Sequence, residues 1–259
     1  MLMDPSILDI IIILLFLPLL ASYLGELFRQ WRKWGIIRSM QDKRGSLVIP
    51  LVHPQRPSMF LGMLAPNYIS IRDAQRILGM IRDAPPEKPI DIILHTTGGM
   101  VVASQQIASA LAAHKGKVTA FVPYFSFSGG TLIALAADEI VMDRQALLGR
   151  VDPQIFGASA ISISQAVSRK DPDRVSDIAL VLSDTAEKAL SQVKEILADL
   201  LRLKGYAGKE IEAISEELVL GKYTHDYPIT FKKATELGLK VNEGVPRDIY
   251  RLPETYERR

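Results

Sequence analysis

The sequence predicts an α/β protein: a mainly parallel sheet built from strand–helix–strand units, preceded by one N-terminal membrane-spanning helix. Three observations carry that expectation. From Leu47 onward, short aliphatic runs alternate with segments of helical periodicity, the order that parallel pairing requires. Two of the predicted strand-to-helix turns hold a glycine pair, Gly98-Gly99 and Gly129-Gly130. Ile10 to Leu24 is an uncharged, almost wholly apolar run.

With Ile7 and Leu8 added, that run covers about 27 Å as a helix, close to the thickness of a hydrocarbon core. A core helix would show a polar face, and this run has none. A cleaved signal peptide would carry Lys or Arg ahead of the run. Here the cations Arg29, Arg32, Lys33 and Arg38 follow it. The expectation is an uncleaved single-pass anchor that meets the bilayer through residues 7–28, with the rest of the chain on the cytoplasmic side. Trp31 and Trp34 sit where interfacial aromatics belong. Residues 29–45 read as a basic juxtamembrane linker, 46–247 as one folded domain and 248–259 as a polar, loose tail.

Within the domain, Leu47–Val52 reads as a strand that Pro50 demotes to an edge or an early strand. The proline-punctuated stretch from His53 to Asn67 reads as a loop whose Met59, Phe60 and Met63 line a groove. Ser70–Arg82 has Ile71, Ala74, Ile77, Leu78 and Ile81 on one helical face. A strand at 90–95 leads into the first glycine pair and a helix to about His114. A strand at 118–122 leads into the second pair and a helix to about Ala137, and 139–142 is a further strand. Both glycine pairs therefore fall at the carboxyl edge of one sheet, where open α/β sheets form their sites. Val175–Lys204 is a long helix closed by Gly205, suited to packing on a partner subunit. A helix follows at Lys209–Leu218, and another runs from an N-cap at Thr230 to Gly238.

The bulk numbers exclude several classes. Net charge is only +2, which argues against nucleic acid as a partner. There is no cysteine, so disulfides, thiolate metal sites and cysteine nucleophiles are absent. The four histidines show no metal-ligand spacing. With no phosphate-binding glycine loop, neither ATP hydrolysis nor any cofactor is expected.

Ser128 precedes a glycine pair and a helix. That places a hydroxyl at a helix N-terminus beside free N–H groups, either as an N-cap or as a nucleophile. Three segments together resemble the Clp-fold serine proteases. Ile92–Met100 resembles that fold's strand and glycine-pair turn. Ser128–Asp138 resembles the serine helix of signal peptide peptidase A, and Leu220–Leu239 its late site-closing segment. The likeness spans roughly residues 45–245, includes Val151–Gln154, and is closest to the membrane-anchored serine dehydrogenase (SDH) branch. Thr97 and Arg150 depart from it, each standing where a proline is expected.

The resemblance implies a ClpP/crotonase-like fold of repeated ββα and βαβ units, a homo-oligomer, and a serine peptidase with Ser128 as nucleophile. Gly99 and Gly129 N–H groups then hold the oxyanion. The position matching the family's histidine falls in Val151-Asp152-Pro153, which points to a Ser-Lys dyad. Lys188, in the long helix, is the first choice of base and Lys170 the alternative. His95 and His225 read as structural. The expected substrate is a peptide or a membrane-protein segment of apolar character. Two other readings stand beside this one: a catalytically silent membrane scaffold, and a crotonase-like acyl-transfer enzyme.

Overall fold

The computed structural model describes residues 7–53, 59–60, 63–64, 67–220 and 223–257, with side chains from Leu14 onward except at 54–66, 172, 221–222 and 257–259. Five strands form the central sheet: β1 (Leu47–Val52), β2 (Ile90–His95), β3 (Val118–Val122), β4 (Glu139–Met142) and β5 (Val241–Glu243), in that spatial order. Every neighbouring pair is parallel. β1 is an edge strand, as Pro50 requires, because a proline has no N–H to offer a second neighbour. A smaller sheet joins Phe125–Ser126, Leu147–Leu148 and Ile229–Thr230. Met59–Phe60 pairs with Met63–Leu64, but the groove expected of their side chains lies outside the described residues.

Both faces of the sheet are covered over β1, β2 and β3, so those strands are buried along almost their whole length rather than alternating, while β4 alternates and β5 at the edge is mostly exposed. On one face, α2 (Ile71–Asp83), α3 (Val101–Ala112) and α4 (Gly129–Leu135) bury Ala74, Ile77, Ile107, Leu111 and Ile133 against Ile49, Ile92 and Ala120. On the other, Ile36, Ile37 and Met40 pack with Ile249 and Leu252 over Val48, Val52, Ile93 and Phe121. α5 (Ala160–Ser168) packs on the long α6 (Asp177–Leu203), and α7 (Gly208–Ser215) follows. α8 (Phe231–Glu236) starts where the Thr230 hydroxyl accepts from Lys233 N–H at 3.3 Å, matching the predicted N-cap.

Two expectations about the ends of the chain are corrected. The segment read as a basic linker continues α1, a single helix from Ile7 to Arg44. Its last turns bury three apolar side chains, and that burial keeps them helical. The segment read as a loose polar tail is helix α9 (Arg247–Glu257). Ile249 and Leu252, three residues apart, fall on one face and are fully buried, while Arg247 and Arg251 face outward.

Among the described residues, no helix is long and apolar enough to cross a membrane. The side chains of 7–13, which supply much of the expected span, lie outside the described set. From Leu14 to Leu24 the large apolar side chains of α1 are more than half exposed.

Candidate active site

The two glycine-pair turns are laced together at the carboxyl ends of β2 and β3. Phe127 N–H donates to Thr96 C=O at 3.0 Å, and Thr96 bridges Ser126. Gly98 N–H donates to the Thr96 hydroxyl at 3.1 Å. Gly99 bridges Ile69 in parallel fashion, with Met100 N–H donating to Ile69 C=O at 2.9 Å. A Cβ at Gly99 would lie 2.3 Å from Ile69 N, so the backbones approach too closely for any side chain. The bridge uses the groups on either side of Gly99, and its own N–H is left directed away from Ile69.

Ser128 sits at φ 51°, ψ −121°, outside the regions an L-residue favours, and its hydroxyl makes no capping bond. The capping role a serine at this position commonly plays is therefore not in use. Backbone strain of this kind costs roughly 1–3 kcal/mol and persists only where neighbouring structure enforces it. Here Gly130 N–H donates to Phe127 C=O at 2.8 Å. The Thr131 hydroxyl donates to Ser126 C=O at 2.6 Å and accepts from Gly149 N–H at 3.0 Å. The outcome is a sharp strand-to-helix turn that presents the serine to solvent, the geometry of a nucleophile elbow. Gly129 N–H, in the first turn of α4, has no intrahelical acceptor. Ser126, the other serine of this stretch, is fully buried and unable to reach a substrate.

Ser128, Gly98, Gly99 and Gly129 line a cavity of about 330 Å³, together with Tyr68, Leu132, Val151, Asp152, Val193, Ile196 and His225. A shallower groove continues from it between α3 and α6, past Val102, Gln105, Gln192 and Leu203.

The structure brings the serine and both predicted oxyanion glycines together, but neither predicted lysine. Lys188 is 72% exposed and ion-paired with Asp184 at 2.6 Å. α6 buries Ala186, Leu190 and Val193. At 100° per residue, Lys188 stands about 200° from both Ala186 and Leu190, on the outward face. Lys170 is exposed in the turn after α5. Among the described residues, no lysine lines the cavity.

The cavity holds a histidine and an aspartate instead, two residues to which the sequence reading gave no catalytic role. His225 Nδ1 is 2.9 Å from Asp152 Oδ1, which leaves Nε2 as the ring nitrogen available to the cavity. Asp152 is fully buried. It also accepts from Gln154 Nε2 and the Ser159 hydroxyl, each at 2.9 Å. Burial raises the carboxyl's pKa, but the bonds from His225 and Ser159 and the nearby Arg150 guanidinium outweigh it, and the net shift is downward. Arg150, also fully buried, lies 3.8 Å from Asp152 and donates to the carbonyls of Val219 and Tyr223. It thereby ties the segment leading to His225 onto the segment carrying Asp152. The signal for this pair was present in the sequence, since Asp152 and His225 both stand in the motif segments on which the family resemblance rested.

A strained serine on a strand–helix turn, unsatisfied backbone N–H groups beside it, and a hydrogen-bonded His–Asp pair in one cavity define a serine hydrolase on a parallel α/β scaffold. The sequence profile of the ClpP-like SDH-type serine proteinases matches residues 2–259. The chain belongs to that family and is a serine peptidase. Two uncharacterised proteins of Methanocaldococcus jannaschii are similar to it: one is 43% identical over 245 residues, spanning 95% of this chain and 85% of the relative, and the other is 45% identical over 229 residues, spanning 88% and 78%. Among solved structures, a point variant of ClpP1 from Listeria monocytogenes superposes with a TM-score of 0.50 at 15% identity, covering 82% of this chain and 97% of the other. That likeness shows the fold.

Proposed function

We propose that this peptidase is an ATP-independent endopeptidase working through a Ser128–His225–Asp152 triad, with Gly99 and Gly129 as the oxyanion hole. The observation that carries the reading is the His225–Asp152 bond of 2.9 Å inside the cavity that Ser128 faces. Ser128 Oγ attacks the scissile carbonyl and His225 Nε2 takes its proton. Asp152, held ionised, keeps the Nδ1–H tautomer and balances the imidazolium. The Gly99 and Gly129 N–H groups meet the developing oxyanion, each worth about 3 kcal/mol in comparable enzymes. His225 then protonates the leaving amine, and water, deprotonated by the same ring, releases the acyl group from Ser128.

The Ser128 hydroxyl has no hydrogen-bond partner among the described residues, so its contact with His225 forms as substrate closes the cavity. A Ser-Lys dyad has less support, because Lys188 and Lys170 both stand in solvent. The apolar lining from Leu132, Val151, Val193 and Ile196 suits an apolar substrate side chain. The exposed apolar residues of α1 from Leu14 to Leu24, followed by Arg29, Arg32 and Lys33, support a lipid anchor. Phe156, 95% exposed, and Ile178, Leu180 and Val181 at the start of α6 support self-association.

Single-site variants test the triad. Ser128→Ala and His225→Ala are each expected to lower kcat for a chromogenic peptide by about 10⁴-fold or more. Lys188→Ala and Lys170→Ala are expected to stay within about twofold of wild type, as surface substitutions do. Full activity in His225→Ala with loss in Lys188→Ala would restore the dyad.

A further inference from the structure

The direction in which α1 leaves the domain fixes where the cleft faces. α1 ends at Arg44, and Gly45 and Ser46 reverse the chain. β1 then runs back along the last turns of the helix. Val48 N–H donates to Gln41 Oε1 at 3.2 Å. Arg44 pairs with Asp91, the register partner of Val48. Further up, Ile36, Ile37 and Met40 pack with Val48 and Val52. Since β2, β3 and β4 are parallel to β1, every carboxyl end of the sheet points towards the apolar N-terminal half of α1. Both glycine-pair turns lie at that edge.

The heights follow from the chain geometry. From Val48 to Val52 the strand climbs about 13 Å. The same climb along α1 from Gln41 takes about nine residues and ends near Arg32. Lys33 lies there, 3.7 Å from the centroid of the Tyr256 ring of α9. From Arg32 to Leu24, the end of the apolar run, is about 12 Å more, a headgroup layer and little beyond it.

The surface of the sheet's two edges agrees with this placement. The carboxyl edge exposes Tyr68, Met100, Val101, Val102 and Tyr124 at 41–57%. The opposite edge presents Asp83, Glu87, Lys115 and Lys117. On α1 at the level of the carboxyl edge, Trp31 and Trp34 are 79% and 63% exposed beside Arg29 and Arg32, the aromatic and cationic pairing of a membrane interface.

We propose that the catalytic cleft opens onto the surface of the bilayer that holds α1, so that the enzyme acts on polypeptide lying along that surface rather than on chains met in bulk water. The inference rests on the lipid-anchor reading of α1 and adds an orientation to it. The chain has no cysteine, so single labels can be placed without removing native ones. Arg144→Cys labels the carboxyl edge just after β4, and Glu87→Cys labels the opposite edge just before β2. Neither residue lines the cavity. Each donor-labelled full-length protein is added to phosphatidylcholine–phosphatidylglycerol vesicles carrying a headgroup acceptor, and flotation is measured in the same samples.

Flotation with about twofold greater energy transfer from position 144 than from 87 is the expected result, the edges being about 20 Å apart. Flotation with equal transfer, or more from 87, overturns the orientation and leaves the anchor standing. Failure to float, with the protein self-associated through α1, removes the anchor and this inference with it. Cleavage of a free peptide in that case leaves the triad reading untouched.

Discussion

Two strings of aspartate, histidine and hydroxyl lie at the carboxyl edge of this sheet, and they have opposite fates. In the first, Asp152 holds His225 at 2.9 Å in the cavity that Ser128 faces. In the second, Asp73 lies 3.5 Å from His53 Nε2, and His53 Nδ1 is 2.8 Å from the Thr96 hydroxyl. The residue types match. The surroundings of the hydroxyl do not. Thr96 is fully buried and its oxygen accepts from Gly98 N–H at 3.1 Å, so its lone pairs fix the turn that presents Gly99. Ser128 is half-buried, strained and uncapped. A triad by composition is thus a clamp when its hydroxyl is committed to the backbone; in the proposed triad the backbone instead holds the hydroxyl at a cleft.

The largest effect expected from that contrast is on turnover. Asp152→Asn should lower kcat by about 10⁴-fold through loss of the productive imidazole tautomer, while Asp73→Asn should leave it within about tenfold, since Asp73 acts only through the turn. Equal losses, measured on one peptide substrate, would dissolve the distinction between the two strings. Next is the clamp itself. Thr96→Val removes the acceptor for Gly98 N–H and loosens the turn. We expect kcat to fall between about 10- and 100-fold with KM little changed, less than the full loss of an oxyanion donor, and Thr96→Ser to recover most of it.

The smallest effect is on acid stability. Burial raises the pKa of Asp73, but the hydrogen bonds from His53 and Ser70 outweigh it and bring it down from 3.8 to about 2. A folded pKa below the unfolded one adds stability that is fully present above the unfolded value and disappears as pH falls through the folded one. The contribution is on the order of 2 kcal/mol, fading between about pH 4 and pH 2. Chemical denaturation of wild type and Asp73→Asn across that range should show the gap close as the pH drops. A gap that stays constant would mean the bonds do not depend on ionisation.

The fold was largely legible because its signals are local. Pro50 marked an edge strand, the spacing of Ala74 and Ile77 marked a helix face, and Thr230 and Gly238 bracketed α8. Ser128 with its following glycines was legible for the same reason. The C-terminal helix was missed because polar residues dominate its composition, although Ile249 and Leu252 carry its buried face. The Asp152–His225 pair was missed for a different reason. His225 stands 73 residues from Asp152, and no periodicity links positions so far apart. Lys188 stood among apolar residues in the sequence, yet a helix turns 100° per residue, and two residues from a buried position is the far side.

By itself the sequence determined the alternation of strands and helices, the two glycine-pair turns, the serine that stands on the second of them and the absence of thiol chemistry. Each of these depends on a few adjacent residues and on backbone sterics. Only the tertiary structure decided which basic group shares the cavity with Ser128, which of two Asp–His strings lies beside a hydroxyl not committed to the backbone, and which way the cleft faces relative to α1. Those depend on contacts between segments far apart in the chain, fixed by the register of a parallel sheet and by one reversal at Gly45.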